Sequence, residues 1–140
     1  MEFHHCEAPP TEEQIAAFER ELGLTFPRSL KEHYLRANGG SPDPYVYEDE
    51  DVDTVVSRCL PLRRGSVSAV GLYEDLVLGK SLVPRHLFPL ALDGGGDVFF
   101  VETTSEDARV YLWHHDTAFE PLVPLNVGLD EFWSRLKADE

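Results

Sequence analysis

Apolar runs and turn residues alternate in the second half of the chain in a way that predicts strands. Three short apolar runs, Leu87–Leu92, Val98–Val101 and Val110–Trp113, are separated by two clusters of turn-forming residues. The first cluster, Asp93–Asp97, contains three glycines, which reach positive φ at little steric cost and therefore suit tight strand connections. The second cluster, Thr103–Asp107, is polar and acidic, as a solvated turn should be. The pattern predicts an antiparallel three-stranded meander.

Helical spacing of apolar residues predicts a helix near the start of the chain. Thr11 and Gln14 have the capping-box spacing that begins a helix. Gly23 is placed to end it in a left-handed conformation. Between these residues, the apolar positions at i, i+3 and i+7 lie on one helical face: Ile15, Phe18 and Leu22.

Two further helices follow from the same signals. Pro27 suits the first turn of a second helix, which Asn38-Gly39-Gly40 ends. A last helix from about Leu129 to Ala138 has apolar residues at i, i+3, i+4 and i+7. The inward positions of these two helices are Leu30, Tyr34, Ala37, Leu129, Phe132, Trp133 and Leu136. Helices therefore flank the strands in sequence, which predicts an α+β class.

Two elements are expected between the second helix and the meander. Val55–Leu62 reads as a strand that Pro61 confines near its end or at an edge. The pattern predicts a short helix at Gly71–Leu82 with Leu72, Leu76 and Val83 inward.

A length of 140 residues with 42% hydrophobic residues fits one domain, 1–140, with its core at about 11–138 and a loose N-terminal segment at 1–10.

The N-terminal residues lack the basic start and apolar middle of a signal peptide, and no apolar run approaches the ~18–20 residues of a membrane span. We therefore expect a cytoplasmic location. Cys6 and Cys59 lie far apart in sequence and make a weak case for a disulfide framework.

Acidity is the strongest compositional feature. Asp and Glu total 26 against 12 Lys and Arg, which gives a net charge of −14. Such a surface repels nucleic acid and anionic membranes and favours basic partners. Five carboxylates lie within Glu48–Asp53, where mutual repulsion predicts an exposed loop.

The residues predict no catalytic, cofactor or metal site. His4-His5-Cys6-Glu7 and His114-His115-Asp116 contain good metal ligands, but adjacent residues on a strand point to opposite faces. Cys59 lies in an apolar stretch, where a buried structural thiol is common. The glycines of Gly94–Gly96 lie between aspartates, which would repel a phosphate, so a hairpin turn is favoured.

Several of these landmarks together resemble the SUKH superfamily, which is named for yeast cell-wall-assembly regulators and bacterial toxin-immunity proteins. The matching pieces occur in the expected order: Phe18–Gly23, Leu24–Pro27, the helix Ser29–Arg36, Asn38-Gly39-Gly40, Leu90–Asp97, Val110–Asp116 and the closing helix Leu129–Leu136. The resemblance extends from about Thr11 to Leu136, with a poorly matched middle from Ser41 to Val83. It implies helices packed on a mostly antiparallel sheet, a protein-binding role rather than catalysis, and no cofactor.

The resemblance and the charge together lead to a functional hypothesis. We expect an immunity protein that neutralises a basic toxin, of nuclease or deaminase type, by direct binding. One alternative is a regulatory scaffold of the same family without a toxin partner. Another, from a different class, is a small hydrolase or metal-dependent enzyme that uses Cys59, the histidines or the carboxylates.

The expected contact residues lie around the acidic loop, because aromatic residues often anchor interfaces while charges steer association. They are Tyr45, Tyr47, Glu48, Asp49, Glu50, Asp51 and Asp53. Without a partner, the same residues would form a solvated acidic loop with ordinary tyrosines. The partner's identity and the oligomeric state do not follow from the sequence.

Overall fold

The structure, a computed structural model, describes residues 1–139. Its helices are α1 (Glu12–Leu22), α2 (Arg28–Arg36), α3 (Ala69–Leu72) and α4 (Leu129–Arg135), and α3 continues into a π-helical segment at Tyr73–Gly79. Its strands are β1 (Glu2–His4), β2 (Ser41–Asp43), β3 (Val46–Glu48), β4 (Asp53–Cys59), β5 (Leu87–Asp93), β6 (Val98–Glu102), β7 (Arg109–Trp113) and β8 (Leu122–Gly128).

Strands β3 to β8 form one six-stranded sheet in which every neighbouring pair is antiparallel and the spatial order follows the sequence. Strands β1 and β2 form a separate two-stranded sheet. The predicted meander is confirmed as β5, β6 and β7, and the α+β class is confirmed with it.

The signals that predict α1 act as expected. Thr11 and Gln14 form a reciprocal capping box, and Gly23 ends the helix at φ 69°. Ile15 and Leu22 are buried on the inner face. Pro27 lies immediately before α2 and not inside its first turn, so its missing N–H falls at the cap, where no intrahelical partner exists.

Aromatic rings join the helices to the sheet. Phe132 of α4 packs with its ring centroid 5.2 Å from Phe99 of β6 and 5.3 Å from Tyr47 of β3. On the other side of the core, Phe26 lies 4.9 Å from Phe88 of β5. All five side chains are at most 1% exposed, so they form the apolar contact between layers.

The N-terminal segment, residues 1–10, for which a loose conformation is expected, makes several contacts with the rest of the fold. β1 pairs with β2, and the Phe3 ring packs edge-on against Trp133 at 5.2 Å and His33 at 5.5 Å. The Glu7 amide also donates to the Asn38 carbonyl at 2.8 Å. The segment thus covers aromatic rings and forms backbone hydrogen bonds with β2. Both contacts offset the conformational entropy that the chain loses when this terminus is fixed.

The region between β4 and β5 departs in detail from the expected elements. β4 ends at Cys59, two residues before Pro61, because proline cannot donate to the sheet ladder. The expected helix at 71–82 begins earlier, where the Ser68 hydroxyl caps α3 by accepting the Gly71 amide. Of its predicted inward residues, Leu76 and Val83 are buried, and Leu72 is partly buried against the core.

Candidate functional site

Three loops share one end of the six-stranded sheet, because alternate connections of an up-and-down sheet return to the same side. We define the acidic end as residues 48–53, 93–97 and 114–121, which contain no Lys or Arg. They contain nine carboxylates: Glu48, Asp49, Glu50, Asp51, Asp53, Asp93, Asp97, Asp116 and Glu120. The sequence analysis identified only the first five as one surface.

The β3–β4 hairpin carries these five, and Asp49 shapes its turn. The Asp49 carboxylate accepts the amides of Asp51 and Val52, each at 2.8 Å, and the Tyr47 hydroxyl at 2.8 Å. Burial favours the neutral form of Asp49, but these three donors outweigh it and lower the pKa of the carboxyl. Asp49 therefore remains charged and holds the turn, while Glu50 and Asp51 point to solvent.

The two tyrosines expected at the contact surface differ in accessibility. Tyr47 is fully buried, and burial together with the Asp49 carboxylate raises its pKa to about 12. Its ring stacks on Phe132, so Tyr47 supports the hairpin from beneath and offers no surface to a partner. Tyr45 is 38% exposed, and its hydroxyl donates to Asp139 at 3.3 Å.

The open edge of β3 is closed by the C-terminal segment. The amide of Val46 donates to the Lys137 carbonyl at 3.0 Å, and the Lys137 amide donates back at 2.9 Å. The Lys137 ammonium also pairs with Glu48. Among the ion pairs of residues 1–139, Glu48 is thus the one carboxylate of the hairpin that pairs with a lysine.

The β5–β6 turn is built around a buried carboxylate. Asp93, which is 8% exposed, accepts the amides of Gly95 at 2.9 Å and Asp97 at 2.8 Å. The Thr54 hydroxyl of β4 donates to the other oxygen at 3.0 Å. Asp93 therefore fixes the glycine turn and ties it to the neighbouring hairpin.

The histidine pair lies just beyond β7, and both rings turn to one carboxylate. The Nδ1 atom of His114 lies 2.7 Å from one oxygen of Asp97, and Nδ1 of His115 lies 2.5 Å from the other. The His115 amide donates to Asp97 at 3.0 Å. The expectation that adjacent residues face opposite ways does not hold here, because the chain leaves the strand at Trp113 and the pleat no longer applies.

These contacts control the charge of Asp97. Burial favours its neutral form, but the His115 amide and the two imidazoles outweigh burial and lower the pKa of the carboxyl. Asp97 is therefore an anion with both oxygens engaged at neutral pH. Hydrogen bonds link this end across the strands: Thr54 of β4, next to the hairpin, donates to Asp93, and the rings of His114 and His115 lie against Asp97.

An exposed aromatic residue belongs to the same end and was missed by the sequence reasoning. Phe119, in the β7–β8 loop between Asp116 and Glu120, is 80% exposed. The signal was present in the sequence, since a predicted meander places its alternate connections together. Grouping residues 114–121 with the acidic loop would have identified Phe119.

The other candidate chemistry lies elsewhere. Cys59 is completely buried, and burial, followed by the nearby Cys6, raises the pKa of its thiol and disfavours the nucleophilic thiolate. A cleft of about 660 Å³ lies at the opposite end of the sheet, where Tyr73, Arg85, His86 and Thr103 line it. No helix within residues 1–139 is long and apolar enough to cross a membrane.

Comparison with known proteins gives one family match. The sequence model of the SMI1 / KNR4 family (SUKH-1) matches residues 9–135, which include α1, α2, the whole six-stranded sheet and α4. A search of curated proteins finds no match to this chain.

Proposed function

Because the chain belongs to the SMI1 / KNR4 family (SUKH-1), we propose that it acts by binding a protein and not by catalysis. The family includes toxin-immunity proteins. We propose an immunity protein that neutralises a basic toxin domain, with a nuclease or deaminase as the expected class. Cytoplasmic residence belongs to the same proposal, because an immunity protein of this kind must meet its toxin where the toxin acts.

The observation that carries this proposal is the excess of negative charge at the acidic end, which exceeds what Lys137 beside Glu48 and Arg135 near Asp49 supply. Nine carboxylates lie on three neighbouring loops that contain no Lys or Arg. A nuclease or deaminase binds the phosphates of nucleic acid with basic residues, and a carboxylate surface can take the place of those phosphates. Such a surface also accelerates encounter with a basic partner at low ionic strength.

Two exposed aromatic residues give this surface apolar contacts. Tyr45 borders the hairpin, and Phe119 projects from the neighbouring loop. Aromatic residues frequently dominate interface energy, whereas exposed charges mainly steer and orient. The proposed contact set is therefore Tyr45, Glu48, Asp49, Glu50, Asp51, Asp53, Asp116, Phe119 and Glu120, with Tyr47 as the buried support of the hairpin.

The direct test is co-expression with the toxin domain encoded by a neighbouring gene. We expect growth to be restored, a complex to co-purify and the toxin's activity to be inhibited in proportion to the added protein. If no neighbouring or cognate toxin is bound or neutralised, immunity is abandoned in favour of the regulatory-scaffold alternative.

A matched pair of variants tests the surface. The triple substitution Glu50→Gln, Asp51→Asn and Asp53→Asn removes three charges from the acidic end. The control triple Glu12→Gln, Glu13→Gln and Glu32→Gln changes net charge equally at exposed positions on α1 and α2. We expect the first triple to slow association about tenfold at low salt and the control to have little effect. Equal slowing by both would mean that net charge, and not this surface, drives binding.

A further inference from the structure

The acidic end holds a cluster of metal-ligating side chains, of which the proposed protein-contact set uses only Asp116. Asp97, His115 and Asp116 each direct a ligand atom into one region, and these atoms all lie within 4.8 Å of one another. They come from two loops, the β5–β6 turn and the β7–β8 loop. We propose that these three residues bind a divalent transition metal of the zinc class.

The set of donors selects this class of ion. One imidazole nitrogen with two carboxylates suits Zn²⁺ and its neighbours in the first transition series, whereas Ca²⁺ and Mg²⁺ prefer oxygen ligands alone. Three protein ligands leave a fourth position of a tetrahedral ion open to water. The surrounding carboxylates add a negative field that favours a cation, and residues 48–53, 93–97 and 114–121 have no Lys or Arg to oppose it.

Asp97 is held in place by His114 and Asp93, two residues that are not proposed ligands. His114 Nδ1 lies 2.7 Å from the oxygen of Asp97 that faces away from His115. The Asp97 backbone N–H donates a hydrogen bond to the carboxylate of the buried Asp93, which fixes the backbone at this position. Hydrogen bonds that orient ligands in this way are a usual feature of metal sites.

The present contacts are hydrogen bonds, and binding requires a small local opening. His115 Nδ1 lies 2.5 Å from Asp97, whereas two ligands of one zinc ion lie about 3.3 Å apart, given bonds of about 2.0–2.1 Å. His115 and Asp116 belong to an exposed loop and can separate by this amount without disturbing the core.

The test is calorimetric titration of untagged protein with Zn²⁺ at pH 7.5. A second exposed group, Glu2, His4 and Asp43, also has ligand atoms close together, so the reference protein carries His4→Ala. We expect the reference to bind one Zn²⁺ per chain. His115→Ala should weaken binding at least about tenfold and His114→Ala about tenfold, whereas His86→Ala at the opposite end of the sheet should not change it.

Several results would overturn the site. They are the absence of Zn²⁺ binding by the reference, unchanged affinity in His115→Ala, or displacement of Zn²⁺ by equimolar Ca²⁺, which would indicate unspecific binding to carboxylates.

A measurement without substitution at the site gives a second test. Substoichiometric Ni²⁺ should broaden the amide resonances of Gly96 and His115 before those of residues 48–53 or 2–4, and the reverse order would place the ion elsewhere. Neither test depends on a toxin partner, so the site can fail while the immunity proposal stands.

Discussion

The carboxylates at the two ends of the six-stranded sheet have different kinds of partner. At the acidic end, Asp49 and Asp93 accept backbone amides of their own turns, so these two carboxylates organise their loops through hydrogen bonds. Near the opposite end, Arg63 pairs with Glu7 at 2.7 Å, and Arg64 pairs with both Glu21 and Glu74. The charge of −14 is therefore concentrated at one end.

This difference supports the proposal that a partner binds at the acidic end. Opposite charges near the second end neutralise each other and tie distant segments together, as with Glu7 and Arg63. Like charges at the acidic end gain nothing from one another, and cross-strand neighbours of equal sign destabilise a hairpin. A fold that tolerates this repulsion at one end only is consistent with selection for binding at that end.

Two glycines give the largest expected contrast in stability between the ends. An added Cβ on Gly128, next to the opposite end, would overlap the backbone carbonyl oxygen of Asp107, which cannot move without distorting the β6–β7 loop. On Gly94, at the acidic end, it would lie 2.8 Å from a methyl group of Val55, which a side-chain adjustment can relieve. We expect Gly128→Ala to lower the free energy of unfolding by about 3 kcal/mol and Gly94→Ala by about 1 kcal/mol. Urea denaturation measures both, and equal losses would contradict the expected difference between an overlap with backbone and an overlap with a side chain.

Asp97 tests whether carboxylates stabilise the acidic end. Its pKa is lowered in the folded protein, so its ionised form contributes stability above the unfolded pKa of about 3.9, and this is lost as pH falls through the folded value. We expect Asp97→Asn to cost about 2 kcal/mol at pH 7 and much less at pH 2.5.

Asp116→Asn is the control for this prediction, because Asp116 is exposed in the same acidic loop. It should change the free energy of unfolding by less than about 0.5 kcal/mol at either pH. A cost of Asp97→Asn that persists unchanged at pH 2.5 would show that shape, and not charge, makes Asp97 important.

Neutralising the acidic hairpin should stabilise the fold while weakening the proposed association. Glu48 and Asp53 lie directly opposite each other in the β3–β4 register, and Glu50 and Asp51 add like charge at the turn. The triple Glu50→Gln, Asp51→Asn and Asp53→Asn should raise the free energy of unfolding by about 1 kcal/mol at low salt.

The control triple of this experiment separates local repulsion from net charge. Glu12→Gln and Glu13→Gln, combined with Glu32→Gln, remove favourable charges from the first turn of α1, so this variant should gain nothing. In 0.5 M NaCl the gain of the hairpin triple should shrink, because exposed charges are then screened. A gain that is independent of salt would remove electrostatic repulsion as its cause.

Local signals predict α1, α2, α4 and the strands β4 to β7, but they do not predict β1 and β2, whose pairing joins distant segments, or β3 and β8. Thr11, Gly23 and the glycine turn act through their own backbone, so α1 and the meander are readable from sequence. Tyr45 and Tyr47 both precede the acidic stretch, and the sequence does not distinguish them. Tyr47 is nevertheless buried because it faces Phe132 of α4, which lies 85 residues away in the chain. The meeting of His115 with Asp97 depends likewise on the β6–β7 pairing, which no local spacing expresses.

Two exposed apolar residues should have the smallest effect on stability, and their effects on binding should differ. Phe119 at the acidic end is 80% exposed, and Leu82 near the opposite end is 50% exposed. Either residue substituted by alanine should change the free energy of unfolding by less than about 0.5 kcal/mol, because neither is part of the core. Only Phe119→Ala should weaken association with the toxin, by about tenfold, as expected for an aromatic anchor surrounded by charges. Surface plasmon resonance on both variants checks this, and an equal loss of affinity for Leu82→Ala would move the interface away from the acidic end.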